Sequence, residues 1–447
     1  MRRRILLLLS TALSTLLVFA IFQAVSWRTL PQKIGLGEAY GPNEEQVESG
    51  EYIMPDQRQG SENEAEPQPG DAVAGAGGKW SGDGTFREPK VEALSPYPVG
   101  KTKPPGSNYT KTLVIPKMKG EDTDWIEHEL GDMVEARLLS MAIYHMDDKS
   151  QKPYPIKNKG NEAMAYITYI IDAYDELPDV AVFMHSHQFA THNNDLLDRN
   201  AALMVRQLSP ERVTRDGYMN LRCHWEPGCP DWLHPGAAHH DSEKPEEYHL
   251  AASWTELFPL QRIPSVLAQP CCAQFAVSKE RLLAMPKSRY VFLRDWILHT
   301  DLPDYLSGRI FEYVWQYLFA GTPVHCPSMS ACYCDGFGMC FADAELFDYY
   351  FELRYVVREY KHDLRLWEEK AERLEAVRKQ AEAKGGRISG EEMLEIPEVG
   401  KDGLLRGKIE RLEDKMERML EEARERGRDP RIRAEAAGRE FKEGNGF

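Results

Sequence analysis

The chain has 447 residues, 42% of them hydrophobic and 28% charged, and its 55 Lys+Arg against 71 Asp+Glu leave a net charge of −16. That balance excludes a nucleic-acid binder built on a basic face, so no nucleic-acid partner is expected. A multi-span membrane protein is excluded too, because only one uncharged apolar run is long enough to cross a bilayer.

That run is Ile5 to Trp27, 23 residues without a charge, preceded by Arg2, Arg3 and Arg4. It is long enough to span the hydrocarbon core as a helix, and the arginines should stay cytoplasmic. A cleaved signal peptide would have a shorter apolar core and a small-residue cleavage site, so an uncleaved anchor is expected over residues 1–27. The rest of the chain would then lie in the Golgi or ER lumen or at the cell surface. All eight cysteines fall between Cys223 and Cys340, which in an oxidising compartment points to disulfides rather than zinc. Their spacing matches no common zinc pattern, and adjacent Cys271 and Cys272 are expected to bond to different partners. A lone N-glycosylation sequon, Asn108-Tyr109-Thr110, agrees with a secretory route.

Residues 28–110 are rich in Glu, Gly, Pro, Gln and Ser and read as a disordered acidic stem. An α/β domain follows over residues 111–350. Thr112 to Pro116, Met141 to His145 and Val180 to His185 have the composition of short buried strands. Between them, Trp125 to Leu139 and Glu162 to Tyr174 read as helices, the second with Ala163, Tyr166, Ile167 and Ile170 on one stripe. The order predicts a parallel βαβαβ unit of Rossmann-like kind. A helix over Asp195 to Leu208, a strand at Tyr218 to Cys223 and a loop-rich stretch to Pro259 come next. Then follow a strand at Gln274 to Val277 and helices near Lys279 to Leu283, Ser288 to His299 and Ser307 to Phe319. Residues 351–447 form a charged helical tail with two short heptad-like seams, one at Leu364, Trp367, Ala371 and Leu374, the other at Ile409, Leu412, Met416 and Met419. Such seams could join copies of the chain into a homo-oligomer, or simply belong to solvated helices.

Ligands of an open α/β sheet bind beyond the carboxyl ends of its strands, and the unusual polar residues of this sequence stand there. Asp122-Thr123-Asp124 could hold Mn²⁺ or Mg²⁺ through hard oxygens, or cap the following helix. Asn158, Gly160 and Glu162 open the next helix, where backbone amides suit a phosphate or carboxylate, unless Asn161 merely caps it. His185 and His187 share a strand end and, with His192 and Asp195, could ligate zinc or donate to a diphosphate. Glu312, on an amphipathic helix with Phe311, Val314, Trp315 and Leu318 inward, could be a general base or could pair with Arg309 or Arg294. His239-His240-Asp241 reads as a solvated loop.

Several long strings carry a resemblance: NKGNEAMAYITYIIDAYDELPDVAVFMHSH, GYMNLRCHWEPGCP, QPCCAQFAVSKERLLAMP and SGRIFEYVWQYLFAG. They resemble a fungal family known as domain of unknown function 3431, over roughly Thr112 to Cys340, without stem or tail. More loosely, the N-x-G-x-acidic helix start and the E-x-x-W of Glu312 and Trp315 are similar to GT-A type glycosyltransferases. Where those enzymes carry D-x-D, at a third or later strand end, this chain has His185-x-His187.

The looser resemblance implies a lumenal enzyme that moves sugar from a nucleotide-sugar donor to a glycan acceptor. Asn158, Gly160 and Glu162 would position the donor. His185 and His187, with Asp122 and Asp124, would neutralise its diphosphate directly or through Mn²⁺ or Mg²⁺, and Glu312 would serve the acceptor. The alternatives are a zinc hydrolase built on His185, His187, His192 and Asp195, and a non-catalytic scaffold that oligomerises through its tail.

Overall fold

The structure is a computed structural model, and it describes residues 96–237, 241–383 and 396–447. The expected anchor, most of the stem and His239-His240 lie outside the described residues. No helix among the described residues is long and apolar enough to cross a membrane.

The elements run β1 (Lys111–Lys117), α1 (Trp125–Glu135), β2 (Leu139–His145), α2 (Glu162–Asp172), β3 (Val180–Phe183), a 3-10 turn (Asp195–Leu197), α3 (Ala201–Gln207), α4 (Pro210–Asp216) and β4 (Tyr218–Asn220). They continue with α5 (Glu247–Leu257), β5 (Phe275–Ser278), α6 (Lys279–Leu283), α7 (Lys287–His299), α8 (Asp304–Glu312), α9 (Trp315–Ala320) and α10 (Met329–Phe337). The last three are α11 (Ala344–Ala383), α12 (Lys401–Arg426) and α13 (Pro430–Ala436).

Five strands form one sheet in the order β2-β1-β3-β5-β4. The first three are parallel, with Leu113 opposite both Met141 and Val182, as the βαβαβ pattern predicts. β5 then runs antiparallel to β3, pairing Val182 with Ala276, and β4 antiparallel to β5, so the sheet is mixed. Leu113, Val114 and Ile115 and all of β3 are fully buried, as strands covered on both sides must be. α2 packs on β1 and against α7, while α4 packs against β3, β4 and β5.

The differences from expectation have local causes. The helix expected over Asp195 to Leu208 is interrupted because Asp198 and Arg199 take left-handed φ of 54° and 53°. Asn200 then restarts it, its side chain accepting from the Ala202 N–H. The helix expected to span Ser307 to Phe319 is two, starting earlier at Asp304 and breaking at Tyr313 and Val314. α4, α5 and α10 fall in stretches without a predicted element; Ser209 and Ser328 cap the first and last of these.

Four disulfides join Cys223 to Cys332, Cys229 to Cys326, Cys334 to Cys340 and Cys271 to Cys272. The expectation of separate partners for Cys271 and Cys272 is therefore corrected: the neighbours bond to each other.

The chain divides into two compact units. One contains, of the described residues, 96–341 and 422–447, and so holds the sheet together with the end of the chain. In it Arg215 is buried between Asp335, the Gly446 carbonyl and the ring of Phe447. The other contains residues 342–421 of the described chain. There α11 and α12 pair antiparallel: Tyr349 accepts from Lys415 at 2.7 Å, Lys361 meets Glu413 at 2.6 Å, and Trp367 donates to the Glu398 carbonyl at 2.7 Å. Leu364, Ile409, Leu412 and Met419 of the predicted seams are buried in this unit, so each helix has a partner within the chain.

Candidate functional site

Two adjoining cavities open beyond the carboxyl ends of β1, β2 and β3. One holds about 360 Å³ and is lined by residues that include His192, Trp232, Glu243, Glu246, Arg309 and Glu312. The other, about 350 Å³, is lined by Met118, Glu121, Asn158, Ser186, His187 and Asp304 among others. Asn161, Glu162 and His185 line both, so the two make one cleft. Its position is where an α/β sheet binds ligands.

The core that carries the helices bearing its carboxyls is aromatic. Tyr166 of α2 packs on Phe183 of β3 at 4.9 Å, Phe183 on Phe275 of β5 at 4.9 Å, and Phe275 on Trp315 of α9 at 5.1 Å. Tyr166 sits one turn after Glu162 on the same helix, and Trp315 follows Glu312 by three residues. The packing of these rings sets where the two carboxyls stand.

Glu162 opens α2. Its carboxyl is pushed up to about 8, first by burial, then by the nearby charges of Glu312 and Asp304. Asn161 does not cap the helix, for its side chain accepts no helix amide. The Gly160 and Asn161 N–H groups instead donate to Asp304 Oδ1 from the start of α8, the second at 3.3 Å. An internal carboxylate thus takes the place that an external anion would use. Gly160 has φ of 76°, and a Cβ there would come within 2.6 Å of Ile297 Cγ2, so only glycine fits. Asn158 faces the cleft through the second cavity.

Glu312 ends α8 with its carboxyl in the cleft. Oε1 accepts from the Cys272 N–H at 2.5 Å, and the Glu312 carbonyl accepts from Gln269 Nε2. Burial raises its pKa, while the Cys272 amide pulls the other way. The pairing with Arg309 or Arg294 is not formed: Arg309 bonds Glu246 at 3.0 Å, and Arg294 stands 4.0 Å from Asp295.

His185 follows β3, its backbone N–H held by Gln274 Oε1 at 3.1 Å and its ring 5.2 Å from that of His192. Burial, then the neighbouring His192 and His187, lower its pKa to about 3, so the ring is neutral at physiological pH. His192 is lowered by burial and by Arg222. His187 is more exposed, and its Nε2 faces Glu121 Oε1 at 3.9 Å. Glu121 Oε2 also accepts from Ser186 Oγ at 2.7 Å and from the Met118 N–H at 2.8 Å.

The remaining predicted residues stand elsewhere. Asp122 and Asp124 do not line the cleft; Asp122 Oδ1 accepts from the Asp124 N–H at 2.8 Å and holds the turn before α1. Asp195 pairs with Arg199 and lies 3.6 Å from His224. Among the described residues, no three of His185, His187, His192 and Asp195 bring ligand atoms within 4.8 Å of one another. Among the lining groups outside the predicted set are Glu121, Trp232, Glu243, Glu246 and Asp304. Glu121 adjoins the predicted Asp122 and Asp124, and the others come from segments with no periodicity to place them.

The fold and cleft define an α/β domain with several carboxyl side chains gathered in a cleft at its strand ends. Residues 113–335 match the family model described as "Protein of unknown function (DUF3431)", and the domain that carries the cleft belongs to that family. No curated protein matches the chain, and no solved structure does.

Proposed function

We propose that the cleft transfers a glycosyl group from a nucleotide-sugar donor to a glycan hydroxyl. The observation that carries this reading is the meeting of Glu162, His185 and Glu312 in one cleft at the strand ends, with burial raising the pKa of both carboxyls above the usual value. A carboxylate with a raised pKa is a stronger base and can take the proton of an acceptor hydroxyl as its oxygen attacks the anomeric carbon. Glu312 fills that role, since the Cys272 amide holds its carboxyl in place. Glu162, whose pKa is raised by burial and further by the charge of Glu312, is the carboxyl that stays protonated when Glu312 ionises. Neutral His185 offers a hydrogen bond to the donor without adding charge. Trp232 gives an aromatic face for a sugar ring.

The looser resemblance also implies a divalent ion. His187 and Glu121, an imidazole and a carboxylate facing each other at the end of β3, form a pair that Mn²⁺ accepts. They replace Asp122 and Asp124 in this role. When bound, the ion would neutralise the departing diphosphate. Four disulfides support folding in an oxidising compartment, consistent with a lumenal domain behind an N-terminal anchor. The zinc-hydrolase reading has less support, because its four ligands are not gathered.

The test is release of nucleoside diphosphate from a panel of nucleotide-sugars with Mn²⁺, by the wild-type chain and by Glu312→Gln. Release by the wild type and a loss of about 10²-fold or more in the variant support the reading. Equal release by both removes Glu312 from the chemistry.

A further inference from the structure

One wall of the larger cavity is the disulfide between Cys271 and Cys272, beside Glu312. The other three disulfides join residues 109, 97 and 6 positions apart and so each closes a loop of chain. A bond between adjacent residues closes no loop and adds no loop-closure term to stability. Its contribution is local, to the shape and chemistry of the wall. Cys272 and Ala273 hold φ of 88° and 48°, a region that residues other than glycine seldom occupy. In that conformation the Cys272 N–H reaches Glu312 Oε1, which fixes the carboxyl beside the sulfurs. Both Sγ atoms and a Glu312 oxygen lie within 4.8 Å of one another. No other such group of three or more His, Cys, Asp or Glu occurs among the described residues.

We propose that Cys271, Cys272 and Glu312 are a reducible metal site, closed as the disulfide and opened by reduction to a dithiol that, with Glu312, takes a thiophilic divalent cation such as Zn²⁺. Reduction adds two electrons and two protons to the S–S bond; a dithiol reductant supplies them and becomes a disulfide itself. Metal binding then releases the two thiol protons as the thiolates ligate. Two soft sulfurs select Zn²⁺ over Mg²⁺ or Ca²⁺. The carboxylate is the third ligand, and the cavity leaves room for water as the fourth. A metal held there occupies Glu312 and the cavity wall, so loading the site closes the cleft to other ligands. The proposal stands whether or not the cleft transfers sugar.

The test uses the full chain treated with a phosphine, which gains the oxygen of a water molecule while the disulfide becomes two thiols. Co²⁺ is then added, and its thiolate charge-transfer band reports ligation by sulfur. C271S/C272S, which keeps the other three disulfides, and E312Q are titrated in parallel. The expected result is about one additional Co²⁺ in the reduced wild type, displaced by Zn²⁺ and missing from both the oxidised protein and C271S/C272S. E312Q should bind roughly tenfold more weakly. Equal uptake by the reduced wild type and C271S/C272S overturns the proposal, as does unchanged affinity in E312Q. Should the variants lose their native circular dichroism, alkylation of the reduced wild type decides. Protection of Cys271 and Cys272 by Zn²⁺ supports the site, and undiminished labelling contradicts it.

Discussion

Glu162 opens one helix and Glu312 closes another, yet both carboxyls face the same cavity, and the charge on Glu312 helps raise the pKa of Glu162. The rings of Tyr166, Phe183, Phe275 and Trp315 hold the two helices over the sheet, so this meeting is built into the core.

The raised pKa of Glu162 makes stability pH-dependent. A folded-state value near 8, against about 4.5 unfolded, means that the folded protein holds a proton which the unfolded chain has released. Stability from this group is fully present below pH 4.5 and is lost as pH rises toward 8, by on the order of 2–4 kcal/mol. Glu162→Gln should remove most of that slope. Urea unfolding of both proteins at pH 5 and pH 8.5 checks it: the variant should gain relative to wild type at the higher pH.

His325 works on the opposite side. Burial, with the charge of Arg212, lowers its pKa to about 4 from the usual 6.5, and its ring packs on Tyr218 at 5.3 Å. The folded protein keeps this ring neutral while the unfolded chain protonates it. Stability present above pH 6.5 is therefore lost as pH falls toward 4, by roughly 1–3 kcal/mol. His325→Asn should flatten the denaturation midpoint over that range, even if it lowers the midpoint at pH 7.

Gly160→Ala should be costly. The substitution forces a positive φ on alanine and drives its Cβ into Ile297. The loss should be about 2–3 kcal/mol, visible as a lower melting temperature, because the loop is also held by Asp304 and cannot move freely.

The end of the chain should matter to the α/β unit although the family model stops at 335. Removing Gly446 and Phe447 takes from buried Arg215 one acceptor and an aromatic face 3.8 Å away. Asp335 remains as its partner, so the expected loss is about 1–3 kcal/mol rather than unfolding. Thermal melting of the shortened chain measures it.

Much of this arrangement was legible in the sequence, for physical reasons. Strands such as Val180–Phe183 are continuous apolar runs, and α2 carries its core stripe openly. Asn158, Glu162, His185 and His187 stand at strand ends and a helix start, where α/β clefts open, and they line this cleft together with Glu312, which an amphipathic helix brings to it. Direction was harder to read: nothing in Phe275–Ser278 says that the strand runs antiparallel to β3. Asp122 and Asp124 looked like ligands, but short carboxylates before a helix readily hold the turn, as Asp122 does. Trp232, Glu243 and Glu246 line the cleft from a loop-rich stretch whose sequence has no periodicity to place them. The Cys271-Cys272 doublet was visible, but spacing alone does not choose among disulfide partners.

The most direct test of the central claim is thermal melting of the full chain against a panel of nucleotide-sugars, with and without Mn²⁺. A donor at about 100 times its dissociation constant should add roughly 2.7 kcal/mol of stability. The account predicts a Mn²⁺-dependent rise with one nucleotide class, reduced in a His187→Ala variant. No rise with any donor, in a protein that melts cooperatively, would contradict it.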